Sequence, residues 1–171
     1  MSIAITLSTP WAFARHLLPE ATLERLIEAA APAPLPSITT YTLNQLSGIL
    51  EGEWAVLAEA MGINEAEITT GQAVSVAKWI KVQMEGVGAF YDNLPNRPTP
   101  EEKRAAERAG SLPFLAGCAY RAVKYFALPS VEAAQNTRLA DIMLMDKGAA
   151  IDAATERYAY EARIKNVPKR P

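Results

Sequence analysis

The stretch TTGQAVSVAKWIKVQMEGVGAFYDNL, residues 69–94, decides the fold class of this chain. Apolar side chains recur in it every three or four residues, which places them on one side of an α-helix. This stripe consists of Val76, Ile80, Met84, Val87 and Tyr91, and it is widened by Trp79 and Phe90. Thr69 or Thr70 can cap the first turn, because a threonine hydroxyl accepts hydrogen bonds from backbone N–H groups there. We therefore expect a long helix that presents a broad apolar face.

The sequence before this helix predicts shorter helices and a linker. A helix from about Pro19 to Ala30 is followed by APAPLP at residues 31–36, whose alternating prolines favour an extended linker. Residues 42–61 again show helical spacing, and Gly62 fits the end of that helix. We expect an N-terminal segment over residues 1–36 and a helical domain over residues 37–171.

Two stretches in the N-terminal part favour β structure. Ile3, Ile5 and Leu7 alternate with small or polar residues, as in a short strand. The sequence ITTY at residues 38–41 is rich in β-branched side chains and could pair with that strand.

The sequence after residue 94 predicts helices as well. Thr99, Pro100 and Glu102 are typical of a capped helix start. Another helix is expected from Ser111, and a final long one over about residues 137–165. Three large side chains of the final helix share a face at seven-residue spacing: Leu144, Ile151 and Tyr158. The predicted fold is mostly α, a compact multi-helix bundle with a small N-terminal segment that can contain β structure.

Composition limits the classes of function. The 171 residues carry a net charge of −2, so no bulk positive field draws the chain to nucleic acid or to an anionic membrane. No apolar run approaches the roughly 20 residues of a membrane span, and we expect no signal peptide. A single cysteine excludes an internal disulfide and fits a reducing compartment. We expect a cytoplasmic protein.

The shortage of reactive residues argues against catalysis. His16 is the single histidine and Cys118 the single cysteine, so metal, thiol and triad chemistry have few candidate residues. No carboxylate stands at ligand spacing beside His16. The sequence GVG at residues 86–88 lies inside a predicted helix and lacks the other parts of a phosphate-binding loop. We therefore predict no catalytic residues, no cofactor-binding residues and no metal site, and a protein that is not an enzyme.

One motif resembles a helix-turn-helix. The sequence LAEAMGINEAEI at residues 57–68 places a turn glycine four residues after an alanine, with apolar residues beyond it. Such a corner can lay its second helix in the major groove of DNA. Glu65 and Glu67 would then face phosphates with no cation before Lys78, which opposes DNA binding. A DNA-binding regulator is therefore a secondary alternative, and a simple corner between two helices is favoured.

The apolar stripe of the long helix is also a candidate binding surface. Our hypothesis for the partner-binding residues comprises Trp79, Met84, Phe90, Tyr91 and Phe126. Methionine and aromatic side chains make adaptable apolar surfaces that suit a helical or extended segment of another protein. The alternative is that the stripe is core, because such stripes usually pack internally.

Four places in the sequence resemble the tail assembly chaperones of phages and prophages. They are YTLNQL at 41–46, MGI at 61–63 followed by Glu67 and Ile68, FYDNLP at 90–95 leading into TPEEK at 99–103, and ERYAYE at 156–161. The likeness spans roughly residues 41–165. The N-terminal part, with its APAPLP insert, departs from it.

The resemblance implies a non-enzymatic role in phage morphogenesis. Proteins of this kind coat apolar stretches of the long tape-measure protein before the tail tube forms, and they help to recruit tube subunits. The resemblance thus implies phage tail proteins as partners, a homo-oligomer, and the host cytoplasm as the location. The leading alternative is a virion structural protein, such as a head–tail adaptor or a minor capsid component, which would stay in the particle.

Overall fold

Helices form nearly all the regular structure in the computed structural model, which describes residues 5–95, residue 104 and residues 113–165. They are α1 (Trp11–Ala14), α2 (Glu20–Ala29), α3 (Leu43–Glu51), α4 (Ala55–Ala60), α5 (Thr70–Asp92), α6 (Phe114–Phe126), α7 (Val131–Gln135) and α8 (Leu139–Lys165). Two short 3-10 turns cover Ile38–Thr40 and Glu65–Glu67. No strand occurs in these described ranges, and the prediction of a mostly α fold is confirmed. The helix start predicted at residues 99–102 lies outside them.

The β structure predicted at residues 38–41 is wrong. Ile38–Thr40 is a 3-10 turn, capped by Ser37, whose side chain accepts from the backbone N–H of Thr39. The side-chain oxygen of Gln83 accepts from the backbone N–H of Ile38 at 3.0 Å. These bonds use the donors that a strand would have offered to a neighbouring strand. Burial of the Ile38 side chain holds the turn in place.

The chain near the N terminus attaches to the start of α5 through its backbone. Pro10 and Thr69 form an isolated antiparallel bridge, and the backbone N–H of Gly71 donates to the carbonyl of Leu7 at 2.8 Å. A Cβ at position 71 would lie 3.2 Å from that carbonyl oxygen, so glycine permits the close approach. The strand predicted over residues 3–7 is wrong from residue 5 onward, because residues 5 and 6 have no regular structure and a turn begins at residue 7. Residue 3 lies outside the described ranges.

The chain divides into two compact units, Met1–Val87 and Gly88–Pro171. The predicted boundary after Pro36 stays a prediction. Ala33, in the middle of the predicted linker, is buried and donates its N–H to the carbonyl of Ser75 at 3.0 Å. The APAPLP stretch therefore packs within the first unit.

The first unit has an aliphatic and aromatic core. Its largest fully buried side chains include Ile38, Leu46, Ile49, Leu57 and Val76. Trp79 packs edge-on against Tyr41, with ring centroids 6.2 Å apart. The chain turns after α4 at Gly62, which has a φ of +70°, as the predicted helix end requires. Leu50 of α3 is exposed.

The second unit packs α6 against both α7 and α8. Small side chains dominate the contact: Cys118, Ala119 and Ala122 of α6 and Ala134 of α7 are buried, together with Leu139 and Ile142 of α8. Ser130 caps α7 by accepting from the backbone N–H of Ala133 at 3.1 Å. This packing fixes α8, the longest described helix, along one of its sides.

Candidate functional site

α8 carries apolar side chains on two opposite sides, and the second unit covers only one of them. The covered side contains Leu139, Ile142, Asp146 and Ala154, which are buried. The opposite side carries Leu144, Ile151 and Tyr158, whose exposed fractions are 71 %, 46 % and 71 %. Large apolar residues in a row on a helix surface are typical of a site that another molecule covers.

Small residues separate these large ones along the same side: Gly148, Thr155 and Ala162. The hydroxyl of Thr155 donates to the carbonyl of Ile151 at 2.9 Å, so it is satisfied within the helix. A Cβ at Gly148 would meet nothing within 4 Å. The side is thus a row of three projections and three recesses, and we call these six residues the outward face of α8.

The carboxyl-terminal turns of α8 are exposed all round. Every residue from 158 to 164 is exposed, including Tyr158, Tyr160 and Ile164. A helix end with bare aromatic and aliphatic side chains gains little stability from the unit it belongs to. The outward face therefore continues onto a part of α8 with no core beneath it.

A buried polar cluster anchors the covered side of α8. The Asp146 carboxylate accepts from Arg121 Nε at 3.1 Å and from Arg121 Nη2 at 2.9 Å. The hydroxyl of Tyr91 donates to the same carboxylate at 2.8 Å. The guanidinium also lies 3.5 Å from the Cys118 Sγ. These contacts join the end of α5, α6 and α8 within the second unit.

Burial and hydrogen bonding shift the pKa values of this cluster. Burial raises the pKa of the Cys118 thiol, which keeps the sulfur protonated and a poor nucleophile near neutral pH. Burial, together with the hydrogen bond to Asp146, raises the pKa of Tyr91. Burial lowers the pKa of Arg121, but the hydrogen bonds and charge of Asp146 outweigh this effect and raise it. Each group is thereby held in its ordinary charge state.

The predicted partner-binding residues are divided between the two units. Trp79, with 3 % of its surface exposed, packs in the first unit, where Met84 is half-buried. In the second unit Phe90 and Tyr91 meet edge-on at 5.2 Å, and Phe126 is half-buried. The assignment of these five residues as a binding face stays a prediction.

An open groove of about 620 Å³ lies in the first unit, beside the APAPLP stretch. Its lining consists of Ala31, Pro32, Ala33, Pro34, Ala60, Met61, Gly71, Gln72 and Ser75. None of these side chains ionises, so the groove offers shape and apolar contact without acid–base chemistry.

The Gly62 corner lacks the second helix that DNA binding would use. Residues Glu65–Glu67 form a single 3-10 turn between α4 and α5. Within this turn Glu65 accepts from the backbone N–H of Trp54 at 2.8 Å, a contact inside the first unit. A three-residue turn is too short to lie in a major groove as a recognition helix.

Two kinds of site are absent from the part of the chain that the structure describes. No three histidine, cysteine, aspartate or glutamate side chains gather there in a way that could hold a metal ion. No helix there combines the length and apolar character needed to cross a bilayer.

The sequence predicts that Leu144, Ile151 and Tyr158 share one face of a helix, but it does not assign that face a function. The signal that could have identified the face is the alternation of these residues with small ones at three- and four-residue steps. The cluster of Arg121 and Asp146 has no such signal, since its members lie 25 residues apart. Comparison of the chain with protein-family models, curated proteins and solved structures finds no match.

Proposed function

We propose that this chain is a non-enzymatic protein of phage morphogenesis that holds an apolar helical segment of another protein on the outward face of α8. The resemblance of the sequence to tail assembly chaperones makes a tape-measure protein the first partner to test. The complex would form in the host cytoplasm, before the tail is complete.

The observation that carries this proposal is the exposure of Leu144, Ile151 and Tyr158 on one side of α8. Burying one such side chain fully contributes roughly 1.5–3 kcal/mol. Three of them supply several kcal/mol before the entropic cost of association is subtracted. A reversible complex follows, as an assembly factor that must later leave requires.

The relief of the outward face favours a helical partner. Anchors at three-, four- and seven-residue steps match the side-chain rows of a second helix. The alternation of large and small residues lets a partner helix approach closely at Gly148, Thr155 and Ala162. Tape-measure segments rich in small and aliphatic residues would fit such a surface.

The polar cluster supports the non-enzymatic part of the proposal. Asp146 is occupied by Arg121 and Tyr91, and the Cys118 thiol is buried. Groups arranged in this way position α8 on α6, whereas catalysis requires ionisable groups that can reach a substrate. We assign the cluster a supporting role for the outward face.

Co-expression with a phage tape-measure protein tests the proposal. The chain should keep that protein soluble and co-purify with it, and Ile151→Asp should lose both effects, because a carboxylate would be buried in the contact. Val82→Asp is the matched control, since Val82 is a β-branched residue in α5 with 42 % of its surface exposed. Co-purification that survives Ile151→Asp would contradict the proposal.

Mass spectrometry of purified particles distinguishes the structural alternative. A chaperone should be absent from mature virions, whereas a head–tail adaptor or minor capsid protein should be present in stoichiometric amount. A strong signal in the particle would therefore favour the structural role over the chaperone role. The same α8 surface would then form a permanent contact in the virion.

A further inference from the structure

We propose that two copies of this chain associate through the outward faces of their α8 helices, packed antiparallel, and so cover these faces while no other partner is bound. This inference rests on the proposed function only in taking the outward face as the working surface. It goes further by stating what covers that surface in the isolated protein, namely a second copy of the chain.

The relief of the face is complementary to itself when one helix is reversed. An antiparallel pair centred near residue 153 sets Leu144 opposite Ala162 of the second copy. The same register sets Tyr158 opposite Gly148 of the second copy, and Ile151 opposite Thr155 of the second copy. Each large side chain then meets a small one, so the two helices keep a constant separation along the contact.

A parallel pair lacks this fit. It would place Tyr158 opposite Tyr158 of the second copy and Gly148 opposite Gly148 of the second copy. Layers of two large side chains would then alternate with layers of two small ones. Two straight helices cannot close the narrow layers while the wide ones hold them apart, and the gaps would cost packing energy. The alternation therefore selects the antiparallel arrangement.

Charges beside the outward face also favour the antiparallel arrangement. Lys147 and Glu161 are exposed and lie 14 residues apart, about 21 Å along the helix, on the same flank. In an antiparallel pair centred near residue 154, Lys147 faces Glu161 of the second copy, and the contact occurs twice by symmetry. This centre differs by one residue from the packing centre, so in the packed register Lys147 and Glu161 of the second copy are offset by two residues, about 3 Å along the helix.

One charge opposes the pairing. Asp152 lies on the other flank, next to the symmetry axis. It therefore comes near Asp152 of the second copy. The like charges weaken the dimer, so Asp152→Asn should tighten it by a factor of about two to five. We expect a reversible dimer, because interfaces of two single helices fall at the small end of the range for specific contacts.

Sedimentation equilibrium of the purified full chain, from micromolar to submillimolar concentrations, tests the inference. The wild-type chain should pass from monomer to dimer. Ile151→Asp should raise the dissociation constant about tenfold or more. Gly148→Leu should do the same by filling the recess, although leucine favours helix formation and a Cβ at this position meets nothing within 4 Å in the monomer.

Matched controls separate the contact from folding. Gly86→Leu makes the same change at an exposed helical site of α5 that also has open space around it, and it should leave the dimer unchanged. Far-UV circular dichroism of each variant should match the wild-type helix content. A monomeric wild-type chain at every concentration would overturn the inference, as would a dimer insensitive to both Ile151→Asp and Gly148→Leu.

Charge reversal tests the orientation. Lys147→Glu and Glu161→Lys should each weaken the dimer a few-fold at low salt, and the double variant should restore wild-type affinity. A double variant as weak as the single ones would rule out the antiparallel register. The co-expression experiment fails or succeeds independently: a monomeric chain that still binds the tape-measure protein refutes the dimer alone, and a dimer that ignores that protein refutes the proposed function alone.

Discussion

Arg121 of α6 and Asp146 of α8 meet in a two-pronged ion pair, with Nε 3.1 Å from Oδ1 and Nη2 2.9 Å from Oδ2. Asp146 is buried, and it sits on the side of α8 opposite to Leu144 and Ile151. The pair therefore fixes the rotation of α8 about its own axis. Because of that rotation, the outward face points to solvent.

Removal of the Asp146 carboxylate should destabilise the second unit. We expect Asp146→Ala to lower the free energy of unfolding by about 2–3 kcal/mol, less than for a fully buried pair, because 36 % of the Arg121 side chain remains exposed. Asp141→Ala is the control: its pair with Arg138 is largely exposed and should contribute about 0–1 kcal/mol. Urea unfolding followed by circular dichroism measures both. Equal losses would mean that the buried pair has no special role.

Alkaline pH should weaken the fold through Cys118 and Tyr91. Burial raises the folded-state pKa of both groups, so their stabilising contribution is complete below the unfolded-state values and is lost as pH rises through the folded-state values. Stability should therefore start to fall above about pH 9, near the ordinary pKa of a thiol. Cys118→Ala should remove the thiol part of this slope. A flat profile from pH 8 to pH 10 would contradict the prediction.

The Cys118 thiol should resist modification in the folded protein. The residue is fully buried, so a thiol reagent at pH 8 should react only as fast as the second unit opens. Addition of denaturant should expose one reactive thiol per chain. Immediate reaction of the native protein would show that this part of the core is open.

Two glycines should respond to alanine in opposite directions. Gly62 has a φ of +70°, so Gly62→Ala should cost about 1 kcal/mol of stability, because a Cβ is strained there. Gly86 lies within α5 with open space around it, so Gly86→Ala should add up to about 1 kcal/mol. Thermal unfolding of the two variants makes the comparison. A gain from Gly62→Ala would contradict the assigned turn geometry.

Removal of two tyrosine hydroxyls should change the free energy of unfolding in opposite directions. The Tyr41 hydroxyl is buried without a hydrogen-bond partner among the described residues, so Tyr41→Phe should raise the free energy of unfolding by about 1 kcal/mol. The Tyr91 hydroxyl donates to Asp146, so Tyr91→Phe should lower it by about 1–2 kcal/mol. Chemical denaturation distinguishes the two, and destabilisation by Tyr41→Phe would show that its hydroxyl is satisfied in solution.

The fold class could be predicted from sequence because helical spacing and capping are local. Residues 69–94 predicted the long helix that forms as α5, and Thr69 opens it with a reciprocal pair of bonds to Gln72. The predicted β stretch at residues 38–41 failed because its outcome depends on Gln83, 45 positions away from Ile38. A β-branched composition favours a strand only where a second strand is present to pair with it.

The candidate site divides in the same way. The spacing of Leu144, Ile151 and Tyr158 along one side of a helix follows from 3.6 residues per turn, so the sequence alone determined that these side chains lie together. This spacing does not determine whether the three side chains are buried or exposed, because α8 carries apolar residues on both of its sides. The tertiary structure decided that point, since the Arg121–Asp146 pair and the alanine-lined contact with α6 bury one side and leave the other in water.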